Sequence, residues 1–333
     1  MDLVTGGTGI VGVHVLNELL AQDGSVRAIH RPNSDRDLVR KILKYYHADG
    51  DARFDRIQWV EGDLLDPDSL SEAMAGIDRV FHCAALVSFD PRDRDAMFRH
   101  NISGTANVVN AMLVKGVQRL CHVSSTATIG AKTDGSPINE DVPFVSDKNA
   151  SPYAVSKHEA EMEVQRGIAE GLHAVMVNPC VVIGPGAHGR SSMTIVERMR
   201  KGSRFFPRGS NAIVDARDVA TAMVRIMNEG SCGERYLLIG ENLPYKKLFC
   251  TIANAFGKPA PVSELPTWML ELAWRAEAAR TLFGGRPMIT KISARTASRM
   301  RNYDGSRAKN LLDMKFRNVE EAVQNVAQFL KAQ

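Results

Sequence analysis

A glycine-rich stretch near the start of the chain, Thr5-Gly6-Gly7-Thr8-Gly9-Ile10-Val11-Gly12, constrains the fold more than any other segment. An apolar strand pattern precedes it, and apolar residues recur at helical spacing after it. Gly6, Gly9 and Gly12 therefore occupy a strand-to-helix turn, where a phosphate can approach backbone N–H groups and the positive end of a helix dipole because no Cβ blocks it. This context predicts a nucleotide-binding turn, whereas the glycines alone also suit an ordinary tight turn.

Composition excludes several classes of protein. The 333 residues include 42 basic and 38 acidic side chains, a balance that argues against a dedicated nucleic-acid binder. The five cysteines are scattered and odd in number, which argues against a disulfide framework or a metal site and favours a reducing compartment. A functional strand from about residue 2 leaves no place for a signal peptide, and no run reaches the ~18 apolar residues of a spanning helix. We expect a cytoplasmic protein without stable membrane insertion.

Strand and helix patterns alternate along the first half of the chain, which predicts an α/β fold with an open parallel sheet. Ala84 and Ala85 lie in an apolar run over 79–87, predicted as a strand, and leave space for a ligand. Hydroxyl groups at 124–126 follow the strand predicted at 120–123. The carboxyl ends of parallel strands are where such sheets bind ligands, so both segments are candidates for a site.

The end of the second predicted strand, 26–30, selects the cofactor. An acidic residue about 20 positions past the glycines binds the adenosine ribose of NAD, whereas an arginine pairs with the 2′-phosphate of NADP. His30 and Arg31 occupy this position, and Arg27 is close enough in sequence to assist. Asp35 and Asp37 could fold back towards the ribose, and Arg31 also suits a solvated surface charge. The residues favour NADP over NAD.

Tyr153 and Lys157 open a predicted helix that runs to about Gly171 after the start signal Ser151-Pro152. Their spacing puts both side chains on one helix face, one turn apart. An ammonium beside a phenol favours the phenolate and lowers the phenol pKa from about 10, so the tyrosine becomes a usable proton donor and acceptor. A Tyr and a Lys at this spacing are, taken alone, more often two exposed surface residues. They indicate a catalytic pair only together with the other motifs of the chain.

The motifs together resemble the extended short-chain dehydrogenase/reductase family of the NAD-dependent epimerase/dehydratase superfamily. The matching segments stand in the family's order: Thr5 to Gly12, Gly62-Asp63-Leu64, Asn101, Ser124-Ser125, Tyr153 to Lys157, Asn178-Pro179, Gly184-Pro185-Gly186 and Val214 to Ala220. The Arg31-Pro32 strand exit and Asn178-Pro179, where many sugar-nucleotide epimerases have Arg-Pro, are similar to the dihydroflavonol-4-reductase-like branch.

The resemblance implies a Rossmann-type doubly wound parallel sheet with a smaller, mostly helical C-terminal substrate lobe. The dinucleotide-binding domain is expected over 1–180 with added segments from about 211–240, and the lobe over 181–333. In the implied reaction, hydride moves between nicotinamide C4 and a carbon bearing a hydroxyl or carbonyl. Tyr153 handles the proton, Lys157 lowers its pKa and holds the nicotinamide ribose, Ser125 hydrogen-bonds the reacting oxygen, and Asn101 supports the lysine through water. Thr126 remains an alternative to Ser125.

The resemblance also implies a set of cofactor-binding residues. Asp63 belongs to that set only through the resemblance, since the sequence pattern by itself suits a turn or helix-entry acid. NADP(H) is the preferred cofactor, with NAD(H) as the alternative. The expected contacts are Gly6, Gly9, Ile10 and Gly12 at the pyrophosphate, Arg31 at the phosphate-bearing ribose, Asp63 and Leu64 at adenine, and Ala84, Lys157 and Pro179 nearer the nicotinamide.

The expected function is therefore an NADPH-dependent reductase of a small-molecule ketone or aldehyde. An NAD-dependent nucleotide-sugar epimerase or 3β-hydroxysteroid-type dehydrogenase is the nearest alternative. A dinucleotide-sensing regulator is a third, which the complete set of Ser125, Tyr153 and Lys157 disfavours because a sensor needs no proton-transfer group. The only partner expected besides the substrate is a second copy, since dimers are common in the family.

The C-terminal part is less informative. Loops at 189–192 and 203–208 lie where substrate-facing segments are expected, and their arginines weakly suggest an anionic ligand. The helix predicted over 266–283 carries Trp268, Met269, Leu272, Trp274 and Phe283, for which core or interface packing is favoured over contact with a membrane. The apolar spacing of the last predicted helix, 319–330, is typical of a structural element.

Overall fold

The computed structural model describes residues 1–21, 24–147, 150–189, 192–287 and 289–332. Strands and helices alternate through most of this part of the chain. The strands are β1 (Asp2–Thr5), β2 (Val26–His30), β3 (Ile57–Glu61), β4 (Arg79–His82), β5 (Arg119–Val123), β6 (His173–Pro179), β7 (Val181–Ile183), β8 (Phe205–Pro207), β9 (Ser210–Asp215), β10 (Arg235–Leu238), β11 (Glu241–Pro244) and β12 (Ser263–Leu265).

Helices separate most of these strands. Short 3₁₀ turns at Pro91–Asp93 and Thr126–Thr128 and a π-helical turn at Arg99–Ser103 add to them. The α-helices are α1 (Ile10–Ala21), α2 (Arg36–Tyr46), α3 (Gly50–Asp55), α4 (Pro67–Ala73), α5 (Arg94–Phe98), α6 (Gly104–Lys115), α7 (Pro152–Ala169), α8 (Met193–Arg200), α9 (Ala216–Glu229), α10 (Tyr245–Ala255), α11 (Thr267–Thr281), α12 (Lys291–Ala297), α13 (Ser306–Leu312) and α14 (Val319–Lys331).

Seven strands form one parallel sheet in the order β10-β6-β5-β4-β1-β2-β3. The chain winds outward from β1 in one direction through β2 and β3, and in the other through β4, β5 and β6. The order reverses between β1 and β4, and ligands of open α/β sheets bind at such a reversal, beyond the carboxyl ends of the strands. The predicted Rossmann-type doubly wound sheet is confirmed.

Alternate residues of each strand pack into separate cores on the two faces of the sheet. Val4 and Phe81 face the core that contains α1, α2 and α9. Leu3 and Val80, their neighbours in sequence, face the core that contains α4, α6 and α7. Because both faces are covered, the strands are apolar on both sides, which is why the sequence shows continuous apolar runs rather than alternation.

Side-chain caps define where several helices begin. The Ser151 hydroxyl accepts a hydrogen bond from the backbone N–H of Ala154 at 3.0 Å, and Pro152 fills the first turn of α7, as the start signal predicts. Asn318 and Glu321 form a reciprocal capping box at the start of α14. The cap on α7 fixes the position of Tyr153, the second residue of that helix.

The chain after β6 divides its elements between the main sheet and a smaller lobe. Strands β7, β9 and β11 form a three-stranded sheet, and β8 pairs with β12. Helix α9 packs along α1, and β10 adds the edge strand next to β6. Helix α14 packs next to α2 of the first half of the chain: the hydroxyl of Tyr45 on α2 donates to the carbonyl of Asn325 on α14 at 3.1 Å.

The apolar run over 79–87, predicted as one strand, is a strand only to His82. The backbone N–H of Cys83 still donates to the carbonyl of Thr5 at 3.2 Å, and from Ala84 onward side chains replace the neighbouring strand as hydrogen-bond partners. The backbone N–H of Ala84 donates to the Thr5 hydroxyl at 3.3 Å, and both backbone groups of Leu86 bond to the amide side chain of Asn101. The prediction failed because an apolar run shows that a segment is buried, but not which groups form hydrogen bonds with its backbone.

Helix α11 corrects a second prediction. Its sequence suggested core or interface packing, yet Trp268 is 63% exposed and Leu272 is 57% exposed. Phe283, just beyond the helix, is 95% exposed. Leu270 is the one residue of α11 that is fully buried. Core packing is therefore wrong for the outward apolar side chains of this helix.

This exposure gives a stability prediction. Replacing Trp268 by Ala should change the free energy of unfolding by only about 0.5 kcal/mol, as for other surface substitutions. Replacing Leu270, which is 6% exposed, should cost about 2–5 kcal/mol because it leaves a cavity. Urea unfolding of both variants measures the difference. A Trp268→Ala variant as unstable as Leu270→Ala would show that the tryptophan packs in the core.

Candidate active site

The glycine turn between β1 and α1 is closed by contacts that admit no side chain. Gly6 has a φ of +66°, and a Cβ there would lie 2.7 Å from the backbone of Ala84. A Cβ at Gly12 would lie 2.2 Å from the carbonyl oxygen of Gly6. These two glycines therefore let the turn fold against itself and against the end of β4.

Gly9 is different, because a Cβ there would meet only the carbonyl oxygen of Gly6, at 3.2 Å. Packing within the protein thus leaves Gly9 more room than Gly6 or Gly12. Its backbone lies at the start of α1, which begins at Ile10 and whose first N–H groups point out of the turn. A helix N-terminus with an open approach fits an anionic pyrophosphate. Gly186 packs against the Ile10 side chain from the lobe side.

Arg31 lies at the carboxyl end of β2 with an exposed side chain. Within the described chain, no hydrogen bond or ion pair of its guanidinium is recorded. Asp35 does not fold back towards it, because its carboxylate caps α2 by accepting from the Leu38 N–H at 2.9 Å. Burial is the main cause of the lowered His100 pKa, the charges of Arg31 and Arg99 add to it, and the charge of Asp63 opposes it, so these charged residues lie near one another at this end of the sheet.

Arg27, expected as a possible second arginine here, is held elsewhere. Its Nη1 donates to the carbonyls of Ala73 and Ala75 at 2.7 and 2.8 Å, and its Nε donates to Gln58. These acceptors lie at and just beyond the end of α4, where helix carbonyls lack partners. Arg27 is therefore a structural residue, and the expectation that it assists Arg31 is wrong.

The remaining predicted cofactor contacts line the ends of β3, β4 and β6. Asp63 accepts from the backbone N–H of Leu65 at 2.9 Å, as a turn acid does, and it also influences the pKa of His100. Leu64 and Ala84 are half-buried, and Pro179 is buried at the end of β6. The structure thus places these residues along the carboxyl edge of the sheet, with Asp63 on the side of Arg31.

Tyr153 and Ser125 meet at the carboxyl end of β5. Burial raises the Tyr153 pKa above its ordinary value of 10, and a hydrogen bond with the Ser125 hydroxyl opposes that shift. Ser125 also caps the 3₁₀ turn at 126–128 through the N–H of Ala127 at 3.1 Å. Of the two candidate hydroxyls, Ser125 is the one that affects the pKa of the tyrosine.

Lys157 lies one turn further along α7 and is almost fully buried, with 1% of its surface exposed. Its Nζ donates to the carbonyl of Val123 at 2.7 Å and lies 3.4 Å from Nε2 of His122. Burial lowers the Lys157 pKa to about 8, and the Glu161 carboxylate partly opposes this. The expected lowering of the Tyr153 pKa by the lysine is not what this geometry gives, because the ammonium is directed at β5.

A chain of hydrogen bonds connects the glycine turn with α6. The Thr105 hydroxyl donates to the carbonyl of Asn101 at 2.6 Å, so it accepts from Nε2–H of His82 at 3.0 Å. Nδ1 of His82 then accepts from the Thr5 hydroxyl at 2.6 Å. Burial lowers the His82 pKa to about 3, which keeps the ring neutral in this tautomer.

Asn101 lies in the π-helical turn that precedes α6, and such turns occur often at functional sites. Its side-chain oxygen accepts from the N–H of Leu86 at 2.7 Å. Its amide donates to the carbonyl of Leu86 and to the hydroxyl of Ser156, each at 3.0 Å. Asn101 therefore attaches the segment after β4 to α7, next to Lys157, and support of the lysine through water stays a prediction.

A buried polar network holds the Ser125 segment, and sequence reasoning missed its role. The Asn178 amide donates to Glu161 at 2.7 Å, to the Thr128 hydroxyl at 3.0 Å and to the carbonyl of Ser125 at 3.2 Å. The Thr128 hydroxyl, which has one proton to donate, lies 2.9 Å from both the Glu161 carboxylate and the Ser125 carbonyl. Two signals were available: Asn178 interrupts an apolar strand, and Glu161 follows Lys157 by one helical turn.

The segment after β4 and the smaller lobe lie next to Tyr153, on the side of the site where a substrate is expected. The ring of Phe89 contacts that of Tyr153 edge-on, with centroids 6.4 Å apart. Ile292 lines a crevice together with Phe89, Ser151 and Pro152. Of the arginines expected in substrate-facing loops, Arg190 lies outside the described residues, as does Ser191. Arg208 pairs with Glu264 at 3.8 Å.

Comparison with known proteins identifies the family. The profile of the NAD dependent epimerase/dehydratase family matches residues 3–239. The chain belongs to this family. It is thus an extended short-chain dehydrogenase/reductase and an NAD(P)-dependent oxidoreductase.

Individual relatives agree with this assignment. A Synechocystis protein named "Putative dihydroflavonol 4-reductase" is 30% identical over 327 residues, covering 96% of this chain and 91% of its own length. Sterol demethylase protein B of Methylococcus capsulatus is 31% identical over 275 residues, covering 81% of this chain and 78% of its own. The crystal structure of gox2253 superposes with a TM-score of 0.82 at 29% identity, covering 100% of this chain and 98% of that one.

Gly12, whose Cβ would overlap the protein, and Gly9, which has more room, give a pair of predictions that can be compared. Gly12→Ala should lower the free energy of unfolding by about 1–3 kcal/mol, because its Cβ forces the turn apart. Gly9→Ala should change the unfolding transition less than Gly12→Ala, because its Cβ meets only the Gly6 carbonyl oxygen, at 3.2 Å, but it should weaken dinucleotide binding, because the pyrophosphate is expected at this turn. Urea unfolding and calorimetric titration with NAD(H) and NADP(H) measure the two effects. Wild-type affinity in Gly9→Ala would contradict this location of the pyrophosphate.

Proposed function

We propose that this chain is an NADPH-dependent reductase of a small-molecule ketone or aldehyde, as in the dihydroflavonol-reductase-like branch. The placement of Tyr153 and the buried Lys157 on α7, against the end of β5 where Ser125 lies, carries the proposal. Two hydroxyls that converge at the carboxyl edge of the sheet can both hydrogen-bond one carbonyl oxygen. The name of the Synechocystis relative supports a reductase.

The roles of the side chains follow from their protonation. Because burial raises the Tyr153 pKa, the phenol is protonated at neutral pH and can donate its proton to the carbonyl oxygen. The Ser125 hydroxyl holds that same oxygen as negative charge develops on it. Lys157 keeps a positive charge at neutral pH beside this site, because its pKa of about 8 lies above 7. The bound dinucleotide supplies the hydride.

Arg31 supports the preference for NADPH. Its guanidinium is exposed at the end of β2, and Asp35, one of the two acidic residues that could compete for the ribose, caps α2. A phosphate dianion gains charge-assisted hydrogen bonds from a guanidinium, whereas an unmodified ribose does not. Arg99 adds positive charge to the same region.

The cofactor preference is tested with Arg31→Ala. We expect this variant to bind NADPH about 10–100-fold more weakly, because hydrogen bonds to a charged group contribute about 1.5–3 kcal/mol. Binding of NADH should change little. Thermal shift and calorimetric titration with both cofactors measure the ratio. Arg27→Ala is the matched control, since Arg27 lies on β2, which Arg31 directly follows, but contacts the end of α4. An unchanged NADPH affinity in Arg31→Ala would favour an NAD-dependent enzyme.

The proton donor is tested with Tyr153→Phe on any carbonyl substrate found with an NADPH absorbance assay. Loss of the hydroxyl should lower kcat about 10²–10⁴-fold, as for other general acids, while NADPH binding is retained. The wild-type reduction rate should be level through neutral pH and fall on the alkaline side, because Tyr153 must be protonated. Unchanged turnover in Tyr153→Phe would contradict the mechanism without affecting the cofactor assignment.

A further inference from the structure

Helix α11 and the two residues that follow it present an apolar stripe to solvent. Trp268 and Leu272 are one turn apart, and Leu282 and Phe283 follow after three further turns, so all four lie on one side of the helix. Their exposed fractions are 63%, 57%, 84% and 95%. A surface helix of a globular protein normally turns its polar residues outward, so this arrangement requires an explanation.

The charged residues of α11 also differ in how exposed they are. Glu271 and Glu277 are half-buried on its inner side, whereas Arg275 and Arg280 are exposed. Each arginine bonds back to one of these glutamates, at 2.6 and 2.9 Å. Along this helix, therefore, the arginine side chains reach further into solvent than the glutamates they pair with, at 56% and 49% exposed against 38% and 19%.

The charge of the surrounding lobe has the same sign. Residues 193–208 and 258–301, which contain α8, β8, β12, α11 and α12, carry 13 basic and 4 acidic side chains, a net charge of +9. The whole chain has a net charge of only +4, so its remaining residues are net negative. Positive charge is thus concentrated in the part of the protein that exposes the apolar stripe.

From this combination we infer that the stripe of Trp268, Leu272, Leu282 and Phe283 docks on the surface of an anionic lipid bilayer. Apolar side chains enter the headgroup region while nearby arginines and lysines bind anionic lipids, and the two contributions reinforce each other. A second copy of the chain suits this face less well, because a two-fold contact would bring like charges together. Within the described residues, no helix is both long and apolar enough to cross a bilayer.

The position of the stripe connects docking with the site. Arg286, three residues after Phe283, pairs with Asp93 at 2.7 Å. Ile292 of α12 lines the crevice that Phe89 shares with Pro152, next to Tyr153. The docking surface therefore lies beside the substrate side of the candidate active site. Docking itself does not depend on the proposed reductase activity.

The test is flotation of the full-length protein with vesicles of phosphatidylcholine alone or mixed with phosphatidylglycerol, without substrate or cofactor. Wild type should float with the anionic vesicles, less so at high salt, and poorly with phosphatidylcholine alone. The double substitution Leu282→Ser and Phe283→Ser should weaken binding about tenfold or more, because two exposed apolar side chains are lost. Val114→Ser, which changes an 80% exposed valine on α6, is the matched control.

Trp268 gives a second readout, since its fluorescence should shift to the blue on anionic vesicles and not on neutral ones. Melting curves check that the double variant folds, which its exposed positions allow. Absence of flotation on anionic vesicles, or equal flotation of wild type and the double variant, would overturn the inference. So would a concentration-dependent dimer that Trp268→Ser dissociates, because it would assign the stripe to a second copy.

Discussion

The contact of the glycine turn with itself and with the end of β4 is the constraint on which the site depends. The backbones of Gly6 and Ala84 approach so closely that a side chain at Gly6 would overlap the strand end. This contact brings the start of α1 and the segment after β4 to one point at the carboxyl edge of the sheet. Thr5 and His82 extend it by hydrogen bonds to Thr105, so the glycine turn and α6 share one framework.

The buried ammonium of Lys157 is the second constraint on the site. Lys157 lies where desolvation disfavours its charge, and the neighbouring histidines are kept neutral by their own burial. A lysine in such a place is costly for stability, because burial disfavours its charge. Glu161 offsets part of this cost and at the same time accepts from Asn178 and Thr128. Glu161, which opposes the lowering of the Lys157 pKa, therefore also helps to hold the backbone of Ser125 through Asn178 and Thr128.

Sequence reasoning located the parts of the molecule whose chemistry is local. The glycine turn, the strand rhythm and the spacing of Tyr153 and Lys157 follow from short-range patterns, and the fold and family inferred from them are confirmed. Features that depend on distant partners were missed. The end of β4 is decided by Asn101, which lies 15 residues beyond Leu86, and Arg27 is taken by carbonyls more than 40 residues away. Apolar composition likewise could not tell which side of α11 would be covered.

The interleaving of the lobe with the sheet has a consequence during synthesis. Strand β10 covers the edge of β6, and α9 covers the face formed by α1 and the central strands, yet both come after residue 215. A nascent chain that has emerged only as far as β6 therefore exposes an unpaired strand edge and an apolar face. Such an intermediate is prone to aggregate. The dinucleotide domain cannot complete its fold on the ribosome until about 240 residues have left the exit tunnel, so a chain truncated near residue 180 would lack one side of its own core.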